Sequence, residues 1–241
     1  MKWKFKIMSM IRNTTLGLAA ALAFASSQAA AATVVNGSFE QDAGAAQNGQ
    51  QFNTLANGPG SSWNVFNSLP GWYLFSGPGI EVQTAGTLDT IDPQNGNHYL
   101  ELDSYSNSMI AQTISFANVG SYVLSFFYSP RTNDAASNTI DYALLEGNDP
   151  YGTVLSGSVT GPSNGSPLTQ VGLWTEIKAS FNILKAGDYA LKFSANGTDD
   201  SYGGLIDNVS IAPAAVPVPA AGLLLLGALG GLAALRRRKS V

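Results

Sequence analysis

The sequence predicts an all-β domain, an antiparallel jelly-roll β-sandwich, on three observations. Short runs rich in Val, Ile, Tyr and Phe recur between clusters of Gly, Pro, Asn, Asp and Ser, which are strand and turn signals. Several runs alternate, as Tyr189, Leu191 and Phe193 do against Ala190, Lys192 and Ser194, the pattern of a strand with one buried face. No internal stretch keeps a 3.6-residue apolar period over three turns, so helices are not expected to build the core.

Taken in order, the expected strands are TVVNGSFE, GWYLF, IEVQT, HYLELDS, SMIAQTISF, SYVLSFFYSPR, TIDYALLEG, GTVLSGSVT, LWTEIKASFNI, DYALKFSAN and GLIDNVSI. The polar segments from Gln41 to Gly60 and from Thr132 to Asn138 read as loops at the rim of the sandwich. The domain is expected over 33-212, with 1-32, 213-219, 220-235 and 236-241 set apart as a signal peptide, a Pro/Ala linker, a short transmembrane sorting helix and a basic cytoplasmic tail.

Charge is divided along the chain. Of 12 basic residues, only Arg131, Lys178, Lys185 and Lys192 lie between Thr33 and Ala215, whereas all 16 acidic residues do, leaving −12 on that part. Such a surface repels nucleic acid and suits solubility, divalent cations or uncharged sugars. Cysteine is absent, which excludes disulfides and thiol chemistry.

Residues 1-32 run from the basic MKWKFKIMSMIRN through the apolar LGLAAALAFA to SSQAAAA, the three-part pattern of a secretory signal peptide cut close to Ala32. At the other end, Ala220 to Leu235 is apolar and is closed by Arg236, Arg237, Arg238 and Lys239. Those 16 residues span about 24 Å as a helix, short against a hydrocarbon core of roughly 30 Å, and the basic cluster is expected to stay cytoplasmic. Val216, Pro217, Val218, Pro219 and Ala220, followed by the apolar run and the arginines, resemble the VPLPA variant of the PEP-CTERM sorting signals, with Val218 where leucine is usual. The resemblance implies transient membrane insertion of the tail, processing by an exosortase-type protease, and a final place at the cell envelope surface or in the extracellular matrix.

Within the domain, NGSFE (Asn36 to Glu40), NGNHYLELDS (Asn95 to Ser104), AQTISF, GSYVLSFFYSPR (Gly120 to Arg131) and LIDNVSI (Leu205 to Ile211) resemble, in order and spacing, the galactose-binding-like jelly rolls that include many carbohydrate-binding modules. The resemblance implies N- and C-terminal strands side by side and a structural calcium between them, for which Glu40 and Asp207 are the corresponding carboxylates; the alternative is a solvated strand-end charge and a turn cap. It also implies extracellular polysaccharide as a partner.

Trp63, Trp72 and Tyr73 are candidates to stack on a sugar ring, the alternative for each being a place in the core, where Trp174 is expected. Arg131, the one arginine of the domain, is expected to serve as an ion-pair partner or as a donor to a sugar hydroxyl. His98 reads as a structural residue at a strand edge. Glu101 and Asp103, two apart on one strand face, would lie about 7 Å apart, a spacing compatible with paired carboxylates of a glycoside hydrolase. The leading reading is a non-catalytic carbohydrate-binding module, ahead of a structural matrix or adhesion protein and of a glycan-active hydrolase. There is no GxSxG elbow, phosphate-binding glycine loop or His/Cys cluster.

Overall fold

The computed structural model describes residues 30–55, 62–88, 91–147, 149, 152–161 and 172–215. The expected signal peptide as far as residue 29, and the expected sorting motif, apolar helix and basic tail over 216–241, lie outside the described residues. Among the described residues no helix is long and apolar enough to cross a membrane.

Eight strands make the central barrel-like sandwich: β5 (His98–Glu101), β6 (Met109–Phe116), β7 (Gly120–Ser129), β8 (Ile140–Glu146), β9 (Thr153–Val159), β10 (Thr175–Ile183), β11 (Gly187–Ala195) and β12 (Leu205–Pro213). They pair in nested fashion, β5 with β12, β6 with β11, β7 with β10 and β8 with β9, all antiparallel. Successive strands alternate between two sheets, except for the β8–β9 hairpin, and this wrapping is the jelly roll. Four earlier strands widen it: β1 (Trp63–Phe66) and β4 (Ile80–Thr84) extend the front sheet, ordered β1-β4-β5-β12-β7-β10, and β2 (Ser68–Leu69) and β3 (Trp72–Ser76) extend the back sheet, ordered β2-β3-β6-β11-β8-β9.

Alternation explains the core. Tyr122, Leu124, Phe126 and Tyr128 of β7 face Tyr189, Leu191 and Phe193 of β11 across the gap, with Ile110, Ile114 and Phe116 of β6 beside β11 in the same layer. Aromatic rings meet edge to face through this layer, Phe126 with Phe193 at 5.0 Å between centroids and Phe116 with Tyr122 at 4.8 Å.

Two expectations are corrected. TVVNGSFE forms no strand: Asn36 and Phe39 adopt left-handed backbone (φ 52° and 60°), and turns occupy residues 35–38. The segment is held instead by Gln112, a buried glutamine at an inward position of β6 whose amide bonds the N–H and C=O of Val35 at 2.6 and 2.8 Å. It still lies beside β12, where the register slips between Asp207 and Ser210 and the freed Val209 N–H donates to the Gly37 carbonyl at 2.8 Å. Second, β1 and β2 appear where no strand was expected, within the run WNVFNSL. Their backbone is stabilised by pairing with β4 and β3, which a four-residue run interrupted by asparagine does not advertise.

Candidate functional site

Over β4 and β5 both faces of the front sheet are buried. Ile80, Val82, Leu100 and Leu102 point into the sandwich. The alternate residues Glu81, Gln83, Tyr99, Glu101 and Asp103 point the other way, and are also buried, at 4% exposure for Glu81 and 0% for Glu101. Loops cover this outer face and leave a depression of about 400 Å³, whose lining includes Trp63, Glu81, Gln83, Ser104, Arg131 and Tyr202.

Its floor is a hydrogen-bonded network of ionisable groups. Glu81 and Glu101 are directly opposite in the β4–β5 register, an arrangement of like charges that destabilises a sheet unless something offsets it. The Gln83 amide nitrogen donates to both carboxylates, at 2.7 Å to Glu81, and Arg131 forms an ion pair with Glu101. Burial raises the pKa of Glu81 above the usual carboxylate value, and Asp103 adds to the effect while Gln83 and Arg131 oppose it. Burial likewise pushes Glu101 well up, with the Glu81 charge next in weight.

The same carboxylates position a loop. Asp103 accepts the N–H groups of Asp200 (3.1 Å) and Ser201 (2.9 Å), Glu101 accepts that of Gly203 (2.8 Å), and Arg131 donates to the Ser201 carbonyl at 2.8 Å. A Cβ at Gly203 would sit 2.6 Å from that of Asp103, so only glycine permits this approach. The loop presents Tyr202, half-exposed, with the Arg131 guanidinium over its ring at 4.8 Å. Arg131 is itself fixed by Asn138, whose buried side-chain oxygen accepts the N–H groups of Arg131 and Thr132 at 2.9 and 3.1 Å.

The rim is aromatic. Trp63 (42% exposed) lies across from Gln83 in the register and meets Tyr105 (60% exposed) edge to face at 6.4 Å. Beneath it, Gln83 and Ser104 each keep a buried side-chain oxygen with no hydrogen-bond partner, as does Asp103. The Gln83 orientation is set by its nitrogen, which serves two carboxylates, so the orphan is an acceptor.

Of the ligand-binding residues expected from the sequence, Trp63 and Arg131 meet at this depression. Trp72 does not: it is 1% exposed, packed between Phe39 and Phe193, with its indole N–H donating to the Asn36 carbonyl at 3.1 Å. A ring with no exposed face cannot stack on a sugar, so Trp72 is corrected to a core residue. Tyr73 follows it on β3 and belongs to the outer face of the back sheet, on the side of the sandwich away from Trp63. Trp174 is half-buried and lies outside the main core, packed edge to face on Tyr99 in a small cluster on the outer side of the front sheet. Glu81, Gln83, Ser104, Tyr105 and Tyr202 escaped the sequence reading because strand register and a distant loop bring them together.

The carboxylate pairs do not make a hydrolytic site. Glycosidases keep their two carboxyl groups about 5 Å or more apart, with the sugar between. Glu101 and Asp103 are both fully buried, one Asp103 oxygen being tied to the loop, and Glu81 and Glu101 share one amide nitrogen and lie within hydrogen-bonding reach of each other, leaving no gap for a glycosidic bond.

Glu40 and Asp207 both fasten the turn before β5. Glu40 accepts the N–H groups of Asn97 and His98 at 2.7 and 2.8 Å and bonds the His98 ring at 2.7 Å. Asp207 accepts those of Asn95 (2.8 Å) and Asn208 (2.6 Å), and burial, opposed by these bonds, pushes its pKa up to about 7. The groups bonded to the two carboxylates are N–H donors, whereas calcium takes six to eight oxygens. Among the described residues no group of three or more His, Cys, Asp or Glu could hold a metal ion. The arrangement straps the N-terminal segment, β5 and β12 together, with the Glu40 charge near enough to Asp207 to raise its pKa further. His98 belongs to that strap, stacked on Phe52 at 4.7 Å.

No family model matches this sequence, and no curated protein matches it. Similar solved structures include a family 61 carbohydrate-binding module in complex with β-1,4-galactotriose, 14% identical, with 61% of this chain and 91% of that one covered at a TM-score of 0.42. A family 35 carbohydrate-binding module from Paenibacillus barcinonensis is 20% identical, covering 64% and 99% at 0.39. The K2 cleaved adhesin domain of Lys-gingipain is 13% identical, covering 68% and 97% at 0.42. Nothing about ligand or activity follows from likenesses of this size.

Proposed function

We propose that the domain is a non-catalytic carbohydrate-binding module that takes a glycan in the depression rimmed by Trp63, Tyr105 and Tyr202. The observation that carries this reading is the pairing of exposed aromatic rings with buried, unpartnered oxygens on Gln83 and Ser104 beneath them. Sugar rings offer apolar C–H faces to aromatics and hydroxyl donors to such acceptors, and the site supplies both. A single shallow site of this kind binds weakly, so copies displayed together would act through multivalency.

The reading places the module outside the cell. Its support is the signal-peptide pattern of residues 1-32 and the resemblance of Val216 to Ala220, with the following apolar run, to an exosortase sorting signal. Exported protein is therefore expected to begin near Thr33, which N-terminal sequencing checks.

A glycan array that includes the producing organism's own exopolysaccharide tests the binding reading. Competable binding that disappears in Trp63→Ala supports it. No binding by folded protein across the array removes it and favours a matrix or adhesion role instead.

A further inference from the structure

The charge of the depression restricts what can enter it. Of the four basic residues between Thr33 and Ala215, Arg131 alone lines it. Its guanidinium is already engaged by Glu101, by the Ser201 carbonyl and by the face of Tyr202. Lys178 and Lys185 pair with Glu176 and Glu146, and Lys192 covers Phe75 on the back sheet.

Against this single, neutralised cation stand Glu81 from β4, Glu101 from β5 and Asp103 just after it, with Asp199 and Asp200 on the loop above and the phenols Tyr99 and Tyr202 alongside. Two carboxylates in contact hold one proton between them. Even so protonated, Glu81, Glu101, Asp103 and Arg131 sum to a negative charge, and loss of the proton makes it more so. The unpartnered oxygens of Gln83, Asp103 and Ser104 call for donors, since Asp103 and the fixed Gln83 oxygen can only accept.

A uronic acid brings another carboxylate and more acceptors, the wrong sign and the wrong hydrogen-bonding sense. An acetamido sugar brings one neutral N–H. A sugar ammonium brings three donors and the compensating charge, and Glu81, the one carboxylate of the three that lines the depression, is placed to meet it.

We propose, building on the carbohydrate-binding reading above, that this site selects its glycan by charge, preferring a sugar with a free, protonated amino group over its acetylated counterpart and rejecting uronic acids. Glu81 is the specificity-determining residue and Trp63 the general platform.

Isothermal titration of the full-length chain with length-matched oligomers of glucosamine, N-acetylglucosamine and galacturonic acid, at about pH 6 where a sugar amine is largely protonated, tests the assignment. The glucosamine oligomer is expected to bind about ten-fold more tightly than the acetylated one, equivalent to about 1.4 kcal/mol, with no binding of the uronate. In Glu81→Gln, shown folded by its melting transition, the ten-fold gap is expected to close. Should that variant fail to fold, rising ionic strength is expected to narrow the same gap in the unaltered chain. Equal or tighter binding of the acetylated oligomer or the uronate overturns the charge selection while leaving the carbohydrate reading in place. An absence of binding by all three and by every glycan of the array overturns both.

Discussion

Neighbouring residues of β4 and β5 build two regions that are equally buried and physically opposite. Val82 and Leu100 enter an apolar interior of interlocking rings, while Glu81 and Glu101, one residue along, enter a polar network under the covering loops. The interior lowers the free energy of the fold by removing apolar surface from water. The network contributes little or nothing on balance, because desolvating charged groups offsets what their attraction returns. It persists as a rigid, hydrogen-bonded floor with spare oxygens, and it holds the loop that carries Tyr202. Burial alone therefore does not separate core from site; whether the buried polar atoms are all partnered does.

The largest test of this contrast sets the tryptophans against each other. Trp72→Ala empties the interior and is expected to lower stability by about 3–5 kcal/mol in urea denaturation. Trp63→Ala is expected to change stability by less than about 1 kcal/mol while abolishing glycan binding. Equal losses of stability in the two variants would break the distinction.

Arg131→Met is next in size. It leaves Glu101 and Glu81 buried without their counter-charge, and a loss of about 3 kcal/mol is expected, with Tyr202 released from its place. Adding Glu101→Gln is expected to restore part of that loss. If Arg131→Met melts like the unaltered protein, the network is wetter than its geometry implies.

A smaller effect is a pH dependence of stability. Glu81, Glu101 and Asp207 have folded-state pKa values above their unfolded ones, so the folded chain holds more protons between the two values. Their contribution to stability is complete below the unfolded values and is lost as pH rises; for Asp207 the window runs from 3.8 to about 7. The melting temperature is expected to fall across that window, and Asp207→Asn to flatten the fall. A melting temperature that rises through the same range would contradict the burial of these groups. The smallest effect concerns the strap of Glu40 and Asp207: a melting temperature that drops in EDTA would show a calcium between them, and an unchanged one would leave the N–H bonds to hold the strap alone.

Much of this architecture was legible in the residues. IEVQT was expected as a strand and is β4 to the residue, and the runs expected for β6, β7, β11 and β12 differ from those observed by a residue or two at their ends. Alternation is a local signal, so these strands could be read from a few consecutive residues. TVVNGSFE misled because its valines and phenylalanine carry a strand pattern, yet Gln112, 77 residues from Val35, captures its backbone in a turn. Trp63 and Arg131 were found because a tryptophan near a loop and a lone arginine are conspicuous. Ser104, Tyr105 and Tyr202 are ordinary loop residues until the fold places them around Gln83.

The sequence by itself determined the all-β class, most strands and which of their faces are apolar, because period-two patterning and turn chemistry are written in neighbouring residues. It also determined the acidity of the domain and the absence of disulfides. Only the tertiary structure decided that Glu81 meets Glu101, that Arg131 joins them, that Trp72 is core while Trp63 is rim, and that oxygens of Gln83 and Ser104 are left unpartnered. Those facts depend on strand register and loop closure across tens of residues, where the energies of many alternative pairings differ by less than any local pattern can express.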